Sequence, residues 1–377
     1  MDPHEILKHF DKRTPDIVSG IRSIVDIESP SHDADASSRV VDAVEAMARS
    51  IGVEIKVERF EVKDGTHLLI TAFEDKLDFT LLLGHLDTVH PVGTAKKNPT
   101  RIDGDRLYGC GTFDMKANLA VALDVLHYFA KSGQQPSTAI RMFLSCDEEV
   151  GSQSGREYVE RFATGAKQCL VMEPSLDGKV KTGRKGTGMF QLHAHGVPAH
   201  AGLEPEKGAN AVAELARQVP AIHSIARPGI GTTVNVTTFH GGTTLNVIPE
   251  HAVCDIDARY SIASEATRVV SELKALTSRD PRVRLELSGA INRPPLERND
   301  AVIAIFEKAR ELAASFDYDL GEAQVGGGSD GNFVAALGVP VLDGLGLVGA
   351  GAHTLDEYVL VSDIAKRATL LTLLLAS

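Results

Sequence analysis

The sequence has 377 residues, of which 43% are hydrophobic and 24% are charged, and its formal net charge at pH 7 is −12. This balance excludes an intrinsically disordered chain, and the length predicts two domains instead of a single core. An acidic chain without a basic cluster is poorly suited to bind nucleic acid or an anionic membrane surface, so neither is expected as a partner.

The cysteines and the chain ends bear on the compartment. The four cysteines are scattered and contain no C-x-x-C pair. This pattern is typical of reduced thiols and not of a disulfide framework. Residues 1–10 carry charges where a signal peptide needs an apolar core, and the apolar run 370–376 is too short to span a bilayer. These features together predict a cytoplasmic protein.

The N-terminal part alternates helical and strand patterns. Apolar residues at helical spacing predict helices over residues 15–28 and 37–51. Alternation of apolar and polar residues over 53–60 and 68–73 predicts a pair of strands. The apolar run 79–83 predicts a buried strand.

A histidine and an aspartate, His85 and Asp87, follow this buried strand. Side chains at i and i+2 of an extended chain lie on the same side. Asp87 could therefore hold the ring N–H of a histidine whose other nitrogen binds a metal ion. A surface histidine and aspartate in a turn would explain the motif equally well. His90 has no carboxylate at this spacing and is interpreted as structural.

Asp114 lies at the end of a glycine-containing segment. Gly109 and Gly111 resemble the beginning of a dinucleotide-binding fingerprint, but Asp114 takes the place of the third glycine. The segment also does not follow a buried strand in the required way, so that interpretation is rejected. Asp114 immediately precedes a predicted helix over residues 115–131. It could cap this helix, bind a metal ion, or do both.

Three consecutive carboxylates, residues 147–149, follow a second buried strand predicted at 140–146. Like charges at such a position repel one another unless a cation lies among them. Taken alone, such a run is more often a solvated acidic loop. A third interior strand, predicted at 168–172, ends in Glu173.

Metal-binding residue types therefore follow several predicted strands or begin a helix. In a doubly wound sheet, ligands bind at the carboxyl ends of the strands, so these segments should converge on one edge. The sequence predicts a metal site there, formed from His85, Asp87, Asp114, Glu148, Glu149 and Glu173.

The pattern changes near residue 179. The strands and helices predicted between residues 180 and 287 follow the order β-α-β-β-α-β, which is typical of a ferredoxin-like domain. We predict a first domain of residues 1–178 and 291–377, interrupted by an inserted domain of residues 179–290. His353 lies on a glycine-rich loop in the returning part of the first domain.

Several motifs, in order along almost the whole chain, resemble those of the di-zinc hydrolase family. This family includes glutamate carboxypeptidase, acetylornithine deacetylase, succinyl-diaminopimelate desuccinylase and aminoacylase. The chain is most similar to the glutamate carboxypeptidase (carboxypeptidase G) branch. The motifs are Gly84-His-Leu-Asp-Thr-Val89, Gly109-x-Gly-x-x-Asp-Met-Lys116, Asp147-Glu-Glu149, Glu173-Pro174, Asn246-Val-Ile-Pro249 and His353.

The resemblance implies an α/β fold. Its catalytic domain would have three layers with a central mixed sheet, as in zinc peptidases, and the inserted ferredoxin-like α+β domain would serve as a dimerisation or lid domain. The resemblance also implies two zinc ions, for which cobalt or manganese could substitute. His85, Asp114 and Glu173 would bind one ion. Asp114, Glu149 and His353 would bind the other, so that Asp114 bridges the two.

Two neighbouring side chains acquire roles from the same resemblance. Asp87 would orient His85. Glu148 would act as the general base, which takes a proton from the attacking water and passes it to the leaving nitrogen. Successive residues of an extended segment point in opposite directions, so Glu149 can reach the metal while Glu148 faces the substrate.

The inserted domain would contribute substrate contacts. His200 resembles the family histidine that crosses a dimer interface to polarise the scissile carbonyl, so a homodimer is expected. Asn246 and Arg259 match family positions that bind the carboxylate of the substrate, for which the planar fork of arginine is suited. An ordinary salt bridge is the alternative for Arg259.

The resemblance implies a zinc-dependent metallocarboxypeptidase acting on small peptides or N-acyl amino acids. It would hydrolyse an amide or peptide bond next to a free carboxylate and release a C-terminal amino acid such as glutamate. An N-acyl-amino-acid deacylase, of the acetylornithine deacetylase or succinyl-diaminopimelate desuccinylase type, is the alternative. The presence of Glu148 beside a complete set of metal ligands argues against a non-catalytic metal- or peptide-binding protein. A cysteine hydrolase that uses Cys146 leaves the acidic segments unexplained.

Overall fold

The computed structural model of the protein describes residues 1–377. The chain forms two compact units, whose bounds differ by a few residues from the predicted ones. The first unit consists of residues 1–182, 298–324 and 329–377, and the second of residues 183–297 and 325–328.

The helices, in chain order, are α1 Pro3–Val25, α2 Ala34–Arg49, α3 Thr94–Lys97, α4 Ala117–Ser132, α5 Gly155–Ala163, α6 Ala211–Ser224, α7 Ala263–Lys274, α8 Asp300–Ala314, α9 Gly331–Ala336 and α10 Ile364–Ala376. None of them combines the length and the apolar character needed to cross a membrane.

The strands, in chain order, are β1 Ile55–Val62, β2 Gly65–Ala72, β3 Phe79–His85, β4 Arg101–Asp103, β5 Arg106–Tyr108, β6 Ala139–Ser145, β7 Gln168–Val171, β8 Val180–Arg184, β9 Gly186–His195, β10 Ala199–His200, β11 Thr233–Gly241, β12 Val247–Ile248, β13 His251–Tyr260, β14 Arg284–Arg293, β15 Glu322–Val325, β16 Val341–Leu342, β17 Gly349–Ala350 and β18 Tyr358–Leu360. The predicted strand pair at 53–60 and 68–73 is confirmed, since β1 and β2 pair in antiparallel register.

The first unit contains a six-stranded mixed sheet with the order β1-β2-β6-β3-β7-β16. Strands β6, β3, β7 and β16 are parallel to one another, and β2 is antiparallel to β6. Alternate residues of β6 face opposite layers. Met142 and Leu144 belong to the core formed with α1, α4 and α10. Phe143 packs against Phe162 of α5, with ring centroids 5.3 Å apart. The predicted α/β fold with a central mixed sheet is thereby confirmed.

Helix α1 is longer than predicted. It begins at Pro3, because the side chain of Asp2 caps it by accepting a hydrogen bond from the backbone N–H of His4 at 3.0 Å. Pro15 lies inside the helix and does not start it. A buried face that includes Phe10 and Ile17 continues across Pro15, so apolar packing offsets the backbone hydrogen bond that a proline cannot donate.

The second unit contains a four-stranded antiparallel sheet with the order β11-β13-β9-β14. This order and the sequence β9-α6-β11-β13-α7-β14 are those of a ferredoxin-like arrangement. Even-numbered residues of β9 and β13, such as Leu192 and Ile256, are buried in one core with α6 and α7. The odd-numbered residues therefore lie on the opposite face of the sheet, which has no helix layer.

Candidate active site

Three parallel strands of the first unit deliver the predicted site residues to one edge. His85 is the last residue of β3, and Ser145, the last residue of β6, pairs with it. Leu83 pairs with Val171, the last residue of β7, and Glu173 follows two residues later. Because these strand ends are neighbours in the sheet, the predicted convergence of the segments that follow them is confirmed.

Asp114 contacts two histidines from distant parts of the chain. Its Oδ1 lies 3.1 Å from Nε2 of His85, which is also 3.6 Å from Oε1 of Glu173. Its Oδ2 lies 3.4 Å from Nε2 of His353, which is also 3.0 Å from Oε2 of Glu149. One oxygen of the Asp114 carboxylate thus faces His85, and the other faces His353.

This arrangement fits metal binding. Zinc binds histidine nitrogen and carboxylate oxygen at about 2.0–2.2 Å, so ligands in a tetrahedron lie about 3.3–3.6 Å apart. The separations around Asp114 are close to this value. Glu148 also lies in this region, since single ligand atoms of His85, Glu148 and Glu173 fall within 4.8 Å of one another. The same is true of His85, Asp114 and Glu149.

The ionisable groups of the site influence one another strongly. Hydrogen bonds with Asp114 and Glu149 raise the pKa of His353 to about 10. Burial disfavours the charged form of His85, but hydrogen bonds with Asp114 and Asp87 outweigh it and raise the pKa of that ring well above its ordinary value. Burial raises the pKa of the Glu149 carboxyl. The site therefore has an excess of carboxylate that positive charge on the imidazoles balances, and a bound cation would balance it in the same way.

Asp87 connects His85 to the acidic turn. Nδ1 of His85 lies 3.0 Å from the backbone oxygen of Asp87, so Nδ1 carries the proton and Nε2 faces the other donors. The carboxylate of Asp87 accepts hydrogen bonds from the backbone N–H groups of Glu148 and Glu149 at 3.2 and 3.1 Å. It also accepts one from Oγ of Ser31 at 2.6 Å. Ser31 lies in a loop, where no pattern in the sequence indicated it.

Glu357 holds the segment that carries Asp114. Its carboxylate is 1% exposed. It accepts hydrogen bonds from the backbone N–H groups of Gly111, Phe113 and Asp114, at 2.9, 2.7 and 2.8 Å. It also lies 3.0 Å from Nε2 of His90, which therefore has a carboxylate partner although none was predicted. The sequence offered only one signal for Glu357, a carboxylate four residues after His353.

Two residues next to the acidic turn have structural roles. The carboxylate of Asp147 accepts hydrogen bonds from the N–H and the Oγ–H of Ser154, at 2.7 and 2.8 Å, and so anchors the start of α5. Sγ of Cys146 lies 3.9 Å from Nε2 of His67. Burial raises the pKa of the Cys146 thiol well above its ordinary value, which disfavours the thiolate that a cysteine hydrolase needs.

His200 and Asn246 lie together in the second unit. Strands β10 and β12 pair, and the N–H of Ala201 donates to the backbone oxygen of Asn246 at 2.9 Å. Nδ1 of His200 accepts hydrogen bonds from the N–H groups of Gly202 and Leu203, both at 3.1 Å. The remaining nitrogen, Nε2, therefore carries the ring proton and can donate it.

Arg259 of β13 forms an ordinary salt bridge, the predicted alternative to binding the substrate carboxylate. Its Nε lies 3.0 Å from both oxygens of Asp257, and its Nη2 lies 2.8 Å from Oδ2 of the same carboxylate. The guanidinium is 31% exposed. Both residues line a cleft of about 620 Å³ on the helix-free face of the second unit. Asp257 therefore occupies part of the arginine fork.

Comparison with known proteins identifies the family. Residues 81–377, well over half of the chain, match the peptidase family M20/M25/M40. The chain belongs to this family.

Relatives of this M20 chain include enzymes with different names. Carboxypeptidase G2 of Pseudomonas sp. (strain RS-16) is 29% identical over 362 residues, which cover 94% of this chain and 87% of the relative. Succinyl-diaminopimelate desuccinylase of Verminephrobacter eiseniae is 31% identical over 306 residues, which cover 74% of each.

Solved structures agree on the fold. Aminopeptidase PepT from Bacillus cereus has a TM-score of 0.78 and 22% identity, over 96% of this chain and 98% of the other. An M20 family metallo-carboxypeptidase from Sulfolobus solfataricus has a TM-score of 0.70 and 16% identity, over 96% and 99%. The family resemblance derived from the sequence motifs is thereby confirmed. This M20 chain is a hydrolase of a metal-dependent family.

Proposed function

We propose that this chain is a zinc-dependent metallocarboxypeptidase, which hydrolyses an amide or peptide bond next to a free carboxylate and releases an amino acid such as glutamate. The observation that carries this proposal is the arrangement of Asp114. One of its oxygens faces His85 and the other faces His353, as a carboxylate shared by two metal ions requires.

The residues divide into two sets of ligands. His85, Asp114 and Glu173 would hold one zinc ion, and Asp114, Glu149 and His353 would hold the other. When bound, the ions would polarise the scissile carbonyl and lower the pKa of a water molecule in the site. Asp87 keeps His85 in the orientation and tautomer in which Nε2 can bind metal.

Glu148 is the general base of this proposal. Its carboxylate takes a proton from the attacking water as the new C–O bond forms at the carbonyl carbon. When the C–N bond breaks, Glu148 returns the proton to the leaving nitrogen, so that an amine and a carboxylate are released. The backbone N–H of Glu148 is held by Asp87 at 3.2 Å, which supports a fixed position for this side chain.

The second unit would recognise the substrate, in a homodimer that works in the cytoplasm. Arg259 and Asn246 would bind the free carboxylate. His200 would donate its Nε2 proton to the scissile carbonyl oxygen in the active site of the partner subunit. The hydrogen bonds to Nδ1 of His200 support this role, since they leave the proton on the outward nitrogen. Four unpaired, buried cysteines agree with a reducing compartment.

A deacylase is the second candidate, because a desuccinylase is 31% identical to this chain. Hydrolysis of a panel of acyl-glutamates, dipeptides, N-acetylornithine and N-succinyl-diaminopimelate separates the two. We expect the highest kcat/KM with a substrate that releases C-terminal glutamate, loss of activity with EDTA and its return with zinc. Faster cleavage of succinyl-diaminopimelate would favour the deacylase. Inactivation by iodoacetamide without any effect of EDTA would overturn both.

A further inference from the structure

Four of the fourteen histidines of the chain lie together on the helix-free face of the sheet in the second unit. His193 and His195 are on β9, His240 is on β11 and His251 is on β13. His251 pairs directly with His195, while His240 and His193 both pair with Val253. Directly opposite residues of antiparallel strands point to the same face, so the register brings all four imidazoles to one side of the sheet.

These histidines line a cleft of about 390 Å³. The other lining residues include Glu250 but no lysine or arginine, and Arg284, which pairs with His195 in the sheet, contacts Glu286. Neutral imidazoles have a free lone pair on one nitrogen and are the commonest metal ligands in proteins. The composition of the cleft therefore favours a cation that prefers nitrogen.

His195 lies close to one carboxylate and to the ring of His251. Nε2 of His195 is buried. It lies 3.2 Å from Oε2 of Glu286, close to the separation of two ligands in a tetrahedron. The rings of His195 and His251 have centroids 5.4 Å apart and are nearly perpendicular. Two imidazoles that bind one ion at about 2.0–2.1 Å have their ring centres about 5–6 Å apart.

We propose that His195, His251 and Glu286 form a binding site for a divalent transition-metal ion, with His193 as a neighbouring donor. His251, whose ring is exposed, would supply one nitrogen to the ion. Glu286 also pairs with Arg284 at 2.6 Å, but both side chains are more than half exposed, and such a surface pair contributes little. Imidazole ligands select zinc, copper or nickel over magnesium and calcium.

Equilibrium dialysis of the purified enzyme against micromolar zinc at pH 7.5, followed by measurement of zinc per chain, tests the site. We expect the unmodified enzyme to bind one zinc ion more than the double variant His195→Gln/His251→Gln. Both proteins have the same active-site residues, so the difference counts only the new site. His4→Gln, an exposed histidine on α1, is the matched control and should bind as much zinc as the unmodified enzyme.

The proposal also predicts that the additional zinc is lost at pH 5, because protons compete for imidazole nitrogens, and that excess magnesium does not displace it. Equal zinc contents of the unmodified enzyme and the double variant would overturn it. Should the double variant fail to fold, the single variant His251→Gln replaces it, because this side chain is exposed and packs in no core. If His251→Gln binds as much zinc as the unmodified enzyme, the proposal is likewise overturned.

Discussion

Asp87 and Asp114 show how surroundings divide roles between identical side chains. The carboxylate of Asp87 accepts hydrogen bonds from Ser31 and from two backbone N–H groups. Its oxygen lone pairs are therefore already occupied by groups of the protein. Each oxygen of Asp114 instead faces an imidazole nitrogen. Asp87 is therefore suited to hold the site together, and Asp114 is suited to bind metal.

The first prediction concerns the proposed base. Glu148→Ala should lower kcat by at least about 10²–10⁴, because proton transfer to and from the substrate is lost. The ligands remain, so metal content measured by mass spectrometry should not change. Glu157→Ala, an exposed glutamate on α5, is the matched control and should keep full activity. Loss of metal together with activity would make Glu148 a ligand.

The second prediction concerns Glu357. Gln has nearly the same size, but its amide N–H₂ would meet one of the N–H groups that the carboxylate now binds. The segment that carries Asp114 should then lose its position, and zinc affinity should fall about 10–100-fold. Competition with a chelating dye measures this affinity. Unchanged affinity in Glu357→Gln would show that the hydrogen bonds are not needed to position Asp114.

At the scale of secondary-structure elements, one buried carboxylate of the second unit connects two helices and a strand. Glu265, near the start of α7, accepts hydrogen bonds from Nε of Arg268 at 2.7 Å and from Oγ1 of Thr232, just before β11, at 2.8 Å. Arg268 in turn donates to the backbone oxygen of Ile225, at the end of α6, at 2.9 Å. The group therefore fixes both helices to the sheet.

The third prediction is that this group makes the enzyme sensitive to acid. The hydrogen bond from Arg268 is the main reason that the pKa of Glu265 falls to about 2 from an ordinary value of 4.5. A lowered pKa stabilises the fold above about pH 4.5, and this stability is lost as the pH falls towards 2. Glu265→Gln should lower the free energy of unfolding at pH 7 by about 1.5–3 kcal/mol.

Urea denaturation at several pH values measures this effect. The difference between Glu265→Gln and the unmodified enzyme should shrink as the pH falls from 4.5 towards 2. Glu272→Gln removes the other carboxylate that contacts Arg268, but its side chain is 43% exposed. This control should cost less than about 1 kcal/mol. A difference that does not depend on pH would contradict the assigned role of Glu265.

At the scale of the whole molecule, the chain separates its functions by unit. Every proposed ligand of the two catalytic zinc ions belongs to the first unit, whereas His200, Asn246 and Arg259 belong to the second. Closure of a substrate-binding domain over a metal site can exclude water and complete the catalytic groups only when substrate is present. In the proposed homodimer, His200 of one subunit would complete the active site of the other.

The fourth prediction tests this exchange of residues. Inactive His200→Ala and inactive Glu148→Ala proteins should recover activity when they are refolded together, because one active site of the mixed dimer contains both intact residues. Activity with an acyl-glutamate, in heterodimers verified by two different tags, is the measurement. Glu148→Ala refolded alone is the control. No recovery would mean that His200 acts within its own chain or has no role.

The fifth prediction concerns substrate carboxylates. Arg259→Ala should raise KM for acyl-glutamates by the equivalent of about 2–5 kcal/mol, since a charged hydrogen bond is lost. Steady-state kinetics with an acyl-glutamate and with its amidated analogue measure the effect. KM for the amide should change little. Equal effects on both substrates would mean that Arg259 serves only its salt bridge with Asp257.

The sequence by itself determined the family, the α/β class and the edge of the sheet at which the candidate site lies. These follow from local patterns: apolar runs that end in His85, in the acidic triplet and in Glu173 predict parallel strands whose carboxyl ends meet. The sequence did not reveal Ser31, the partner of His90, or the role of Glu357. Their hydrogen bonds join residues that are 56 to 267 positions apart in the chain. Local patterns of apolar and polar residues carry no information about such distant partners. Only the tertiary structure decides such contacts, because buried N–H groups and carboxylates must find partners wherever packing brings them together.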